Sequence, residues 1–292
     1  MSDLTKNTDY AHFTPLHHRG YETGPGFIQV PSSDSKGKPF KISARTPQQG
    51  EMVYALSRMS YLTAVIGAAG AGKTLFGVAT GIAGLTAGLY EHVVITRPMV
   101  EAEETSGALP GGELQKIAPM LMPIFENMIM IGHGNRIAEL DDIRRDADKT
   151  IGAQLVESMT KPLQIAPLGK MRGRTFNDSF VILDEAQNTT ENQMKMFLTR
   201  IGKNSRAYIC GDLTQVDDKF NNGNNGLKYL IKLIEKTSSQ NPLLDGAAHV
   251  GDFYKGSNTQ DHPANDEMHL IDVGSDTSQR GPGVNRVLSW KD

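Results

Sequence analysis

The chain has 292 residues, with 30 Lys and Arg against 33 Asp and Glu, for a formal charge of −3. That is room for one large α/β domain with appendages, and the balance excludes a globally basic coat, so any polynucleotide contact must come from a local patch. The single cysteine, Cys210, excludes a disulfide framework, points to a reducing cytoplasm and reads as a small buried hydrophobe at a strand end.

Asp3, Lys6 and Asp9 interrupt the start, so no secretory leader is expected. Residues 1–45 mix polar, Gly, Pro and His residues without a sustained period, which predicts a flexible arm with a brief ordered piece at Gly26–Pro31. His12, His17 and His18 have no Cys or carboxylate at ligand spacing, so a solvated tail is favoured over a metal site. From Thr46-Pro47-Gln48-Gln49 to Leu56 the pattern is a helix entry and an apolar stripe; Gln49 suits either an adenine edge or an ordinary polar helix start.

Tyr61–Ile66 is a short apolar, β-branched run that breaks into Gly67-Ala68-Ala69-Gly70-Ala71-Gly72-Lys73-Thr74-Leu75, so strand, loop and helix follow in order. Gly67-x-x-x-x-Gly72-Lys73-Thr74 is the pattern of a phosphate-binding loop. Glycines let the backbone fold tightly with its N–H groups inward, the helix N-terminus adds partial positive charge, Lys73 reaches terminal phosphates, and the Thr74 hydroxyl suits a magnesium ion. The uncharged stretch Thr74–Tyr90 is rich in Gly and Thr and reads as the helix behind this loop rather than a membrane span.

His92–Thr96 is a buried-type strand ending in Arg97-Pro98, and Met99–Glu113 reads as a loop. Leu114, Ile117, Leu121, Ile124, Phe125 and Met128 recur at helical spacing, broken by Pro119 and Pro123, which predicts helical pieces with a kink. The Met-rich stripe reads as core or subunit interface. A second amphipathic run extends from Ile137 to Leu155. Pro162–Ala166 is a short strand, Gly169–Arg174 a basic loop, and Phe180–Leu183 a buried strand that delivers Asp184 and Glu185. Thr190 and Gln193 suggest a capping box, Ala207–Cys210 is a strand ending in Gly211-Asp212-Leu213-Thr214-Gln215, and a last helix covers roughly Leu227–Lys236. Residues 241–292 turn Asn-, Gly-, Ser- and Asp-rich and read as a loose or partner-dependent tail. The organisation expected is an arm (1–45), a domain (46–240) and a tail (241–292). Strand–helix alternation predicts a parallel sheet with helices on both faces and ligands at the carboxyl ends of its strands.

At those ends Asp184 and Thr74 form the candidate magnesium pair, and Glu185 is left to orient and deprotonate water. Gln215 has an amide suited to a γ-phosphate or lytic water. Arg97, Arg172 and Arg174 are the arginines on the active edge, fit to grip nucleic-acid phosphates or to neutralise transition-state charge.

The motifs Gly67–Thr74, Thr96-Arg-Pro-Met-Val-Glu-Ala102, Leu109-Pro-Gly111, Ala166-Pro167 with Met171-Arg-Gly-Arg-Thr175, Ile182-Leu-Asp-Glu-Ala-Gln-Asn-Thr-Thr190, Met194–Arg200 and Gly211–Gln215 together resemble the PhoH family of ATPases. The resemblance covers roughly residues 46–235 and is nearest to the bacteriophage type, which implies a host cytoplasm. It implies a RecA-like P-loop core similar to the first motor domain of superfamily 1 helicases, with ATP and Mg2+ as ligands. It places the nucleotide on Gln49, Gly67, Ala68, Ala69, Gly70, Ala71, Gly72, Lys73, Thr74 and Leu75, with Lys73, Glu185, Gln215, Arg172 and Arg174 as catalytic residues. Family members are associated with helicase-type roles on RNA or DNA, phosphate starvation and hexameric rings. Two positions depart from the pattern: Glu103 stands where Gly is usual, and residues 240–292 lack an Asp-Val-Val-Arg stretch, which hands its arginine's role to Arg172, Arg174, Arg280 or Arg286.

Three function classes are thus in competition. The first is a magnesium-dependent ATPase acting on RNA or single-stranded DNA, which as a single motor domain needs a ring of copies. The second is a nucleotide-switched binding or scaffold protein with slow hydrolysis, and the third, a small-molecule phosphotransferase, is disfavoured because Glu185 and Gln215 suit water as acceptor.

Overall fold

The computed structural model describes residues 17–18, 21–24, 26–34, 37–98, 113–137, 160–217, 220, 223–240, 247–249 and 267–272. The principal sheet has seven strands in the order β10 (Ala247–His249), β11 (Glu267–Asp272), β5 (Leu62–Ile66), β9 (Arg206–Gly211), β8 (Ser179–Leu183), β6 (His92–Thr96) and β7 (Leu163–Ile165). The six strands from β11 to β7 are parallel, and β10 pairs antiparallel at the edge. Five α-helices accompany them among the described residues: α1 (Pro47–Ser57), α2 (Lys73–Ala87), α3 (Glu113–Met130), α4 (Glu191–Leu198) and α5 (Gly226–Gln240).

The strands read as continuous apolar runs because both faces are covered. Phe180, Ile182, Tyr208 and Cys210 point into one core with α1, α2 and α3, while Val181, Leu183, Ala207 and Ile209 point into the other with α4 and α5. This is the predicted α/β class, a mostly parallel sheet with helices on both faces as in P-loop NTPases.

Helix α2 fixes the site. Every residue from Phe76 to Leu85 is buried, as expected of a helix apolar all round. Its glycines let it approach the sheet: a Cβ on Gly77 would lie 2.4 Å from the Tyr208 ring, on Gly81 2.9 Å from Phe180, and on Gly84 2.6 Å from Tyr90. These three aromatics form a row, with centroids 5.4 Å apart for Tyr90 and Phe180 and 6.5 Å for Phe180 and Tyr208. The run that reads as a helix behind the loop is therefore that helix, and among the described residues no helix is long and apolar enough to cross a membrane.

Three expectations change. Where residues 1–45 read as an arm ordered at 26–31, the described part carries a four-stranded antiparallel sheet of β1 (His17–His18), β2 (Tyr21–Gly24), β3 (Phe27–Val30) and β4 (Phe40–Ser43). Ile28, Val30 and Ile42 join the α1–α2 core; strands of at most four residues are too short to announce a period. Behind it His133, fully buried, bonds the Pro31 carbonyl at 2.7 Å through Nε2, and Ser33 Oγ donates to the Gly132 carbonyl at 3.0 Å. Burial pushes the His133 imidazole below its usual range, and the neighbouring Arg136 charge acts in the same direction.

Second, α3 is one helix through Pro119 and Pro123 rather than separate pieces. Pro123 lies on the exposed side, while Leu121, Ile124 and Met128 are buried. Third, the segment read as a loose tail contributes β10 and β11, with β11 completing the open side of β5 and burying Ile271. His12, the 99–112 loop with Glu103, the amphipathic run beyond Ile137, Arg280 and Arg286 lie outside the described residues.

Candidate active site

The loop after β5 has the backbone its glycines predict: Gly67, Gly70 and Gly72 take φ of 146°, 83° and 89°, a region costly for other residues. Lys73 Nζ donates to the Gly67 and Ala68 carbonyls at 2.6 and 2.8 Å, folding over the loop. The Tyr208 hydroxyl donates to the Lys73 carbonyl at 2.7 Å and fixes the first turn of α2. Leu75 is half-buried against the first core.

Gln49 is buried in α1, beyond its N-cap Thr46, and bridges α1 to this loop. Its Nε2 donates to the Ala71 carbonyl at 3.0 Å and its Oε1 accepts from the Arg45 amide at 2.7 Å. Both ends of the amide are thus engaged within the protein.

Strand β8 delivers the acids. Asp184 is 3 % exposed, and its Oδ1 accepts from the Thr74 hydroxyl at 3.1 Å and from the Cys210 thiol at 3.0 Å. Burial, and then the Asp184 carboxylate, push the Cys210 thiol well above its usual range, so it stays a protonated donor. The expected convergence of Thr74 and Asp184 is present, and two hard oxygens side by side fit a magnesium ion. Glu185 sits in a left-handed conformation, φ 56°, ψ 40°, unusual for a residue with a side chain. Its Oε2 accepts from Gln187 Nε2 at 2.6 Å, and its Oε1 lies 2.9 Å from Arg97 Nη2. Arg97 Nε also stands 3.5 Å from Asp184 Oδ2.

Of the three arginines singled out, Arg97 is thus the one at the acids. Arg174 is committed at β7, where Nη2 donates to Gln164 Oε1 at 2.9 Å and the guanidinium covers the Phe176 ring at 4.5 Å; burial lowers its pKa from the usual arginine value. Arg172 is exposed in the turn after the 3-10 segment Leu168–Lys170. Gln215 closes the 3-10 turn Leu213–Gln215 and is exposed, its amide N–H bonded to the Asp212 carbonyl at 3.0 Å.

Two residues in the site escape sequence reasoning. Asp212 accepts from the Ala69 amide at 3.0 Å through Oδ2 and from the Thr214 amide and hydroxyl through Oδ1, bracing the phosphate loop. Gln187, 1 % exposed, accepts from the Asp212 amide at 3.1 Å while donating to Glu185. Both stand inside recognised motifs, but only the pairing of β9 with β5 and β8 shows what they touch.

The family model described as "PhoH-like protein" matches residues 41–243. A PhoH-like protein of Bacillus subtilis is 40% identical over 188 residues, 64% of this chain and 52% of its own length. A PhoH-like protein of Mycobacterium tuberculosis is 39% identical over 170 residues, 58% and 43% of the two chains. The Escherichia coli protein PhoH is 35% identical over 180 residues, 60% and 45%. The chain spans about half the length of the curated relatives it matches. With the phosphate loop, the Thr74–Asp184 pair and the family match over most of its length, this chain belongs to the PhoH-like protein family.

Proposed function

We propose that the protein is a magnesium-dependent ATPase that acts on nucleic acid, RNA in preference to DNA, as a helicase-like homo-oligomeric ring of the phage type. The observation that carries the hydrolytic part is the 3.1 Å bond between Thr74 and Asp184 with Glu185 one residue on: loop, metal pair and base belong to one surface. Loop N–H groups and Lys73 bind the phosphates, and Thr74 and Asp184 would hold Mg2+, which would supply charge neutralisation at the phosphoryl oxygens. The water oxygen forms a bond to the γ-phosphorus, the bond to the β–γ bridging oxygen breaks, and the water proton passes to the Glu185 carboxylate, releasing ADP and phosphate. Arg97, 2.9 Å from Glu185 and 3.5 Å from Asp184, would balance the charge that develops beside the acids. The nucleic-acid and ring parts rest on family resemblance.

A second reading, a nucleotide-switched scaffold with slow turnover, is supported by one observation: both Glu185 oxygens are already engaged, by Arg97 and by Gln187. One assay series separates the two. ATP turnover is measured for the wild type, Lys73→Ala and Glu185→Gln, with and without RNA or single-stranded DNA at low salt, beside the mass in solution. The ATPase reading expects Lys73→Ala to lose nucleotide binding and Glu185→Gln to lose at least about a hundredfold in kcat while binding is kept. Turnover indifferent to Glu185→Gln defeats the hydrolytic mechanism, an active monomer defeats the ring, and indifference to nucleic acid favours the scaffold.

A further inference from the structure

We infer that Gln187 is a positioning residue that ties the Glu185 carboxylate to the phosphate loop, so that the loop's conformation sets the orientation of the base; this rests on the hydrolytic reading above. Three hydrogen bonds in series make the tie. The Ala69 amide of the loop donates to Asp212 Oδ2 at 3.0 Å, the Asp212 amide donates to Gln187 Oε1 at 3.1 Å, and Gln187 Nε2 donates to Glu185 Oε2 at 2.6 Å. The series crosses from the end of β5 over the end of β9 to the end of β8.

The chemistry selects glutamine. A backbone N–H on one side demands an acceptor and a carboxylate on the other demands a donor, so the amide has one orientation, with oxygen towards Asp212 and nitrogen towards Glu185. Glutamate would set a second carboxylate against Glu185, and methionine would satisfy neither side. The surroundings hold the amide there. Asn225 Nδ2 donates to the backbone carbonyl of Gln187 at 2.7 Å and so fixes the main chain from which the side chain extends. A Cβ on Gly211 would come within 2.7 Å of Gln187 Oε1 and 3.1 Å of the Gln187 backbone nitrogen, so the strand end is left bare where the side chain passes. Glu185 is itself at φ 56°, and Gln187 and Arg97 hold its carboxylate from the two oxygens.

The test uses the full chain with Gln187→Glu, Gln187→Met, Glu185→Gln and the double variant Glu185→Gln/Gln187→Glu. It measures single-turnover ATP hydrolysis, KM and kcat, ADP affinity and melting temperature. Gln187→Glu keeps the acceptor for Asp212, so a purely structural bridge would survive it. The inference expects both single variants at Gln187 to lose about tenfold or more in kcat, with ADP affinity within about threefold of wild type. It also expects the double variant to turn over no more slowly than Glu185→Gln alone, because Gln187 acts through Glu185. Wild-type rates in both Gln187 variants, a further loss in the double variant, or variants that do not fold would each overturn it and leave Gln187 a structural support. Wild-type turnover that survives Glu185→Gln, or no wild-type turnover at all, would instead remove the hydrolytic reading on which it stands.

Discussion

Asp184 is surrounded by donors of different kinds, a hydroxyl from α2, a thiol from β9 and a guanidinium beyond β6. A buried carboxylate is tolerated only with such partners. Replacing Cys210 by valine conserves an apolar filling and removes one donor, so Cys210→Val should lower stability by about 1–3 kcal/mol in urea denaturation, and Cys210→Ser should recover part of it. The residue-level chemistry was partly legible: Thr74 and Asp184, expected side by side, lie 3.1 Å apart, while Lys73 folds back over the carbonyls of its own loop. Cys210 reads correctly as buried, yet its polar task depends on a partner 26 positions away on the neighbouring strand. Gln187 and Asp212 escape the sequence for the same reason, and of the three arginines at the strand ends Arg97 is the one in contact with both acids.

At the scale of elements, close approach of α2 to the sheet aims the phosphate loop. A methyl at Gly77 would meet the Tyr208 ring whose hydroxyl holds the Lys73 carbonyl. Gly77→Ala should therefore cost about 1–3 kcal/mol through overpacking and weaken nucleotide binding as well, read by thermal melting and by ADP titration. The small sheet is pinned to the end of α3 by His133. Because burial lowers its pKa in the folded protein, the unfolded chain takes up more protons as pH falls below about 6.5. Stability is thus fully present above that pH and declines below it, and His133→Gln, which keeps an N–H for Pro31, should flatten the decline between melts at pH 7.5 and 5.5. The long elements β5, α2, β6, β8, β9 and α5 were legible because each buries both faces of a strand or a full helical stripe. Strands β1 to β4 were not, since at two to four residues each the pattern is exhausted before a period shows.

For the whole molecule, the strand that carries the phosphate loop lies inside the sheet because β11 pairs with it, Met268 opposite Leu62 and Asp272 opposite Ile66. Removing everything after residue 243, where the family match ends, would turn β5 into an edge strand with exposed hydrogen-bonding groups. The truncated chain should melt earlier than the full one and form aggregates measurable by light scattering. The two partners are about two hundred residues apart, a closure whose entropic cost is modest but which slows folding. On a ribosome adding about 5–20 residues per second, the loop-bearing strand would wait roughly 10–40 seconds for its neighbour to be made. The nascent chain thus displays its phosphate loop well before the sheet beneath it is closed, and that interval is when it is most exposed to chaperones and proteases.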